Sequence, residues 1–201
     1  MMYIIKPSIL EDFRIYKYQI FPKELKEVIE GIKGERKPSP QMNMGKLIHH
    51  YLETGKTDVV FDGKTYSLHD KEVDLLYPLY CDLQLCIREM GFREQLTDDI
   101  LISGRVDAVY ARIGIEVKTG ARFYGMDFYA NSNQWKLYSL GLGLDMLTYI
   151  HIEIGGTYPP HSLTMKDFDL YPYPGMRDQV IGDCYEFINF CEFHNLIPYI
   201  T

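Results

Sequence analysis

No apolar run in this 201-residue chain approaches the ~20 residues that a membrane-spanning helix needs. The opening stretch MMYIIKPSILEDF lacks a basic region followed by a long apolar core, so it is not read as a secretory signal, and a cytoplasmic protein with no membrane partner is expected. Cysteine is scarce. Cys81, Cys86, Cys184 and Cys191 never stand two residues apart, as zinc or redox pairs do, and each falls in a stretch with helical patterning, where a reduced structural thiol is expected. Positive charge is short as well. A net charge of −7 argues against a broad basic surface for nucleic acid, but leaves room for a carboxylate-rich site whose field a divalent cation would reverse.

Apolar residues make up 46% of the chain, enough for a globular core. The 17 tyrosines suit either a binding groove or a tyrosine-rich interior. No internal repeat, low-complexity tract or linker interrupts the chain, so one domain over 1–201 is expected, with a helical extension over 1–40, a core over 41–155 and a C-terminal loop and helix over 156–201.

The segment to about residue 34 reads as short and helical, and the polar run 34–41 as a loop. A helix is expected from Met42 to Thr54, stopped by Gly55. Asp62-Gly63 between two β-prone runs predicts a hairpin over 59–68. Asp70 to Met90 reads as a long helix that Pro78 should kink or divide. Strand-like alternation runs from Ile100 to Lys118, followed by a helix from Ser132 to Leu142 and a strand from Asp145 to Ile154. The proline-bearing stretch 157–175 reads as loop, and a last helix as Met176 to Asn195, with Val180, Cys184, Phe187 and Cys191 facing a core or an oligomer contact. The fold class is therefore α/β or α+β.

The most informative segment is ISGRVDAVYARIGIEVKTG, residues 102–120. A hairpin centred between Ala111 and Arg112 would set Asp107 opposite Glu116 and place Ser103, Arg105, Asp107, Glu116 and Lys118 on one face, with Val106, Ala108, Ile113, Ile115 and Val117 on the other. Carboxylates facing each other repel unless positive charge sits between them. A divalent cation would supply it. The alternative is a solvated polar face on which Lys118 neutralises the acids. Two further patterns bear on the choice. In MGKLIHHYLETG, His49 and Glu53 are four apart and share a helix face while His50 points elsewhere, and in NSNQWKLYSLGLGL so do Gln134 and Tyr138.

In order, these pieces resemble the PD-(D/E)XK nuclease superfamily, and within it the RecB-like exonuclease branch, near the phage recombination exonucleases and CRISPR-adaptation nucleases. The pattern Gly-x-x-x-His-x-x-x-Glu appears as Gly45, His49 and Glu53; Gly-x-x-Asp as Gly104 and Asp107; Glu-x-Lys as Glu116, Val117 and Lys118; and Gln-x-x-x-Tyr as Gln134 and Tyr138. The resemblance implies a restriction-endonuclease-like core, a central mixed sheet flanked by helices. It implies that His49, Asp107, Glu116 and the Val117 carbonyl bind one or two Mg2+ or Mn2+ ions, that Lys118 orients water and offsets phosphate charge, and that Gln134 and Tyr138 contact DNA or steady the lysine. Some relatives hold an iron–sulfur cluster through one cysteine before the His helix and three near the C-terminus; this chain has neither set, and no cluster is expected.

The implied function is deoxyribonuclease, an exonuclease in recombination or repair of phage or mobile-element type, with DNA, a homo-oligomeric copy, or a recombination or helicase protein as partner. The rivals are a nuclease fold retained only to bind DNA or a protein, and an unrelated hydrolase of small phosphate esters. Arg105 would contact phosphate or pair with a neighbouring acid. Lys33, Arg36, Lys37 and Lys46 would form a basic rim or a solvated loop. The aromatics of residues 120–135 would stack bases or, for Phe123, Phe128 and Trp135, pack the core. His151 reads as structural.

Overall fold

The computed structural model describes residues 1–20, 22–36, 39–156 and 162–201, with residues 40 and 41 described by backbone alone. The elements are β1 (Tyr3–Ile5), α1 (Pro7–Lys17), α2 (Leu25–Lys33), α3 (Pro40–Thr54), β2 (Asp58–Phe61), β3 (Lys64–Ser67), α4 (Asp70–Leu83), β4 (Ile87–Gln95), β5 (Ile100–Tyr110), β6 (Ile113–Gly120), α5 (Met126–Ala130), α6 (Asn133–Leu142), β7 (Met146–Gly155), β8 (Ser162–Leu170), α7 (Met176–Phe193) and a closing 3-10 turn, Ile197–Tyr199. Among the described residues no helix is long and apolar enough to cross a membrane.

Six strands form a mixed central sheet. The long strand β5 carries β4 antiparallel along one edge, from Leu101 to Val109. Its other edge is shared: β1 pairs parallel at Ile100–Ile102, and β6 pairs antiparallel at Ala108–Tyr110. Between these partners that edge of β5 lies open. Having left β5, β6 runs parallel to β7 from Ile113 to Gly120, and β8 closes the sheet antiparallel to β7. The result is a fork between β5 and β6.

Both faces of the sheet are covered. On one, Phe13, Val28, Leu137, Tyr149 and Phe187 belong to a core that α1, α2, α6 and α7 close. On the other, Leu47, Ile48, Leu52, Leu76 and Leu83 of α3 and α4 pack over Ala108, Val117 and Ile152. Val180, Cys184, Phe187 and Cys191 of α7 are all buried in the first core. Cys81 is exposed and Cys86 half-buried beyond the end of α4, so these two thiols are not the interior groups expected of them.

Several local readings need correction. The N-terminal segment is not wholly helical, because Tyr3–Ile5 joins the sheet; three residues are too few to show a period. The helix expected to reach Met90 stops at Leu83, and Ile87–Gln95 is β4. Its composition, IREMGFREQ, is poor in strand formers, so the pairing with β5 overrides local preference. Pro78 sits inside one α4 without dividing it. Residues 162–170, expected to be loop, form β8. Its buried side chains change face along the strand, Leu163 facing the α3/α4 core and Phe168 and Leu170 the other, which erases simple alternation. The expected loop residues 157–161 lie outside the described residues.

Candidate active site

Helix α3 begins where Ser39 Oγ accepts a bond from the Met42 N–H (3.2 Å) and ends at Gly55, which takes the left-handed conformation (φ 73°). Its buried stripe, Leu47, Ile48, Tyr51 and Leu52, seats it on the sheet. Gly45 is required by close approach: a Cβ there would collide with Thr119 Oγ1 of β6. That contact sets the height of the helix over the fork and points His49, one turn on, at the strands.

At the β5–β6 hairpin the expected register holds as far as Ala108 opposite Ile115, with Ala111 in a left-handed turn position (φ 53°). The next step would pair Asp107 with Glu116, and here the ladder ends. Asp107 Oδ2 instead accepts the Val117 N–H at 2.7 Å, so a side chain satisfies the amide that the parted strands leave open.

Both acids line one cavity of about 500 Å³ at the fork. Lys46, His49, His50 and Glu53 reach it from α3, Val59 and Phe61 from β2, Glu89 from β4, Arg105 and Asp107 from β5, Glu116 from β6 and Tyr138 from α6. His49 Nδ1 stands 3.7 Å from Asp107 Oδ1, close enough for attraction but too long for a hydrogen bond. Burial lowers the His49 pKa, opposed by the nearby Asp107, which favours the neutral imidazole with a lone pair to offer.

Glu116 is only 4% exposed. Its Oε1 faces Lys118 Nζ at 2.5 Å and accepts from the Tyr138 hydroxyl at 3.3 Å. Gln134 Nε2 in turn donates to Tyr138 Oη at 2.8 Å. These two α6 residues therefore steady the glutamate; the recorded bonds do not run to the lysine. Glu116 Oε2 is buried with no partner among the described residues. Desolvation raises the Glu116 carboxyl to about 7, and Lys118 opposes the rise while Asp107 adds to it.

A buried, unpaired carboxylate oxygen beside a second carboxylate and a neutral imidazole is a donor set suited to a hard divalent cation. The residues fit such an ion chemically. Among the described residues, however, no three acid, imidazole or thiol groups already stand together as a closed cage. Lys118 and the Val117 amide hold the positions beside the acids.

Of the other residues singled out from sequence, His50 and the basic rim depart from their readings, while Arg105, the core aromatics and His151 agree with one of theirs. His50, set aside, lines the cavity, with Nε2 3.4 Å from Thr54 Oγ1. Arg105 forms the ion pair that was one of its two expected roles, its Nε 2.5 Å from Glu89 Oε2. The basic rim does not assemble at the cavity: Arg36 binds Asp12 and the Glu27 carbonyl, Lys33 lies over the Tyr199 ring, Lys46 alone lines the cavity, and Lys37 lies outside the described residues. Trp135 is buried and donates to the Ala130 carbonyl, while Phe123 stacks on Tyr129 at 5.3 Å and Phe128 packs against the same core. His151 is buried, its Nδ1 2.9 Å from the Tyr129 hydroxyl.

Sequence reading missed Arg88 and Glu89. Arg88 donates to the Asp107 carbonyl (3.3 Å) and the Leu52 carbonyl (2.7 Å), tying α3 to the strands. Neither residue belongs to a motif, and both lie on a strand whose first residues read by sequence as the end of a helix. Arg-Glu at the first turns of a strand facing the site helix would have been the signal, had β4 been recognised.

Neither a protein-family model nor a curated protein sequence matches this chain. Solved structures do match it in shape. The protein SSO0001 aligns with 94% of this chain and 78% of its own length at 16% identity and a TM-score of 0.51. The alkaline exonuclease LHK-Exo from Laribacter hongkongensis aligns with 94% of this chain and 88% of its own at 9% identity and 0.50. The same exonuclease in complex with dAMP gives 11% identity and 0.51, with the same coverage. At such identities the likeness is one of fold: the mixed sheet flanked by helices is that of the restriction-endonuclease-like exonucleases.

Proposed function

We propose that this chain is a divalent-cation-dependent deoxyribonuclease of the RecB-like exonuclease branch of the PD-(D/E)XK superfamily, hydrolysing DNA phosphodiester bonds in recombination or repair. One observation carries the reading: His49, Asp107 and Glu116, from three separate elements, open onto a single cavity at the strand fork. The domain is taken as one unit, with residues 41–155 as its catalytic core.

His49, Asp107, Glu116 and the Val117 carbonyl would hold Mg2+ or Mn2+. Such an ion supplies Lewis-acid polarisation of the phosphodiester and a more acidic water. Lys118, paired with the buried Glu116 carboxylate, would orient the attacking water and offset charge on the phosphate. Tyr138, held by Gln134, keeps the Glu116 carboxylate in one orientation. Glu53 adds negative charge on the helix side of the cavity, and Lys46 and Arg105 supply cations at its mouth.

Incubation with linear and circular DNA, with and without Mn2+, tests this. Mn2+-dependent cleavage that Lys118→Ala lowers by two or more orders of magnitude is expected. Cleavage that ignored the ion, or survived the substitution, would overturn the mechanism. Release of mononucleotides from linear DNA alone marks an exonuclease, and nicking of circles an endonuclease.

A further inference from the structure

Glu89 stands out in the cavity wall for its backbone. It has φ 51°, a left-handed conformation that strains a non-glycine residue. The flanking register pairs Arg88 with Ala108 and Met90 with Val106, so Glu89 lies level with Asp107, and the regular pairing skips that step. A carboxylate level with another carboxylate is unfavourable by charge as well. Strain and repulsion at one residue call for a compensating contact.

That contact is Arg105. It lies opposite Gly91, which has no side chain to meet it, and reaches diagonally back so that Nε meets Glu89 Oε2 at 2.5 Å. The Arg105 side chain is nevertheless 68% exposed. It also lines two cavities, the one holding His49, Asp107 and Glu116 and a second one of about 920 Å³ between β4, β5 and the start of α1. An arginine engaged at Nε presents its remaining guanidinium edge elsewhere, and that fork suits a phosphate.

The geometry points to Glu89 as a positioning residue: held in a left-handed backbone turn, it pins Arg105 at the junction of the two cavities, where the guanidinium grips a phosphate of the nucleic-acid strand next to the bond being cut. The inference rests on the nuclease reading for its substrate. Its sign is unusual. An acid at a phosphate site would by charge alone weaken binding, whereas a positioning acid strengthens it.

Binding of a defined DNA duplex to the full chain, measured in Ca2+ over a series of salt concentrations, distinguishes these. Arg105→Ala is expected to reduce the slope of log K against log salt by about one, as loss of one phosphate contact does. Glu89→Gln is expected to weaken binding about threefold to tenfold, and in Mn2+ to raise KM more than it lowers kcat. The double variant should bind no worse than Arg105→Ala alone, since the two act as one unit. Glu89→Gly, which relieves the backbone strain, should weaken binding like Glu89→Gln while raising Tm relative to it. Tighter binding by Glu89→Gln, additive effects, or an unchanged salt slope in Arg105→Ala overturns the assignment. If the wild-type chain binds DNA without cutting it, only the catalytic reading fails, and the binding series still decides the role of Glu89. A wild-type chain that neither binds nor cuts sinks both.

Discussion

Glu116 is held by two groups, and they do different things. Lys118 neutralises it; Tyr138 orients it by donating from a different layer of the fold. Tyr138→Phe removes that donor and leaves the Gln134 amide without its partner, which should lower stability by about 1–2 kcal/mol. The Tyr138 bond also lowers the Glu116 pKa, so its loss moves that pKa further up. The proposed mechanism needs the ionised carboxylate, so under that reading the acid limb of the pH–rate profile should move to higher pH in Tyr138→Phe, with cleavage at pH 7 falling about tenfold. A profile superimposable on the wild type would show that the bond is irrelevant to Glu116. In contrast to Tyr138, His50 lies at a helical position that by sequence points away from the site. The 100° turn between neighbours is not enough to take it out of a cavity as wide as this one.

Among the elements, α3 and the β5–β6 hairpin decide the site, and Gly45 is where they touch. Gly45→Ala should gain about 0.5–1 kcal/mol of helix propensity but lose about 1–3 kcal/mol to the clash with the stiff, β-branched Thr119. The net expectation is a Tm lower by about 2–4 °C. Displacement of His49 should lower Mn2+ affinity as well. Equal Tm and metal affinity to wild type would mean that the helix is free to shift. The hairpin was legible in sequence because its two-residue turn and period-two pattern are local properties. So was α3, from the apolar stripe and Gly55, although its start at Pro40, capped by Ser39, lies two residues before the expected one. β4 and β8 were not. β4 is strand only because β5 offers a full-length edge, and β8 buries opposite faces at its two ends.

For the molecule as a whole, the buried acid links stability to pH and to cation. The folded chain raises the Glu116 pKa from 4.5 to about 7, so folding favours its protonated form. The stability from this group is fully present below about pH 4.5 and is lost as pH rises through about 7, amounting to about 3 kcal/mol in the absence of a cation. Glu116→Gln, which cannot ionise, should therefore melt above the wild type at pH 8 without metal, the gap closing towards pH 5. Adding millimolar Mn2+ at pH 8 should raise the wild-type Tm and move Glu116→Gln much less. Thermal melts at three pH values, with and without Mn2+, check the sign; a wild-type chain indifferent to both would remove the case for a cation beside Glu116. What the residue order determined alone was what depends on neighbours in the chain: helix caps, the two turns, the faces of the hairpin and the spacing of His49, Glu53, Gln134 and Tyr138. What only the tertiary structure decided was where the strands part, that Asp107 reaches across to the Val117 amide, and that Arg88 and Glu89 join the site from a distant strand. These depend on edge sharing along β5, and no stretch of chain specifies an edge until its partners have arrived.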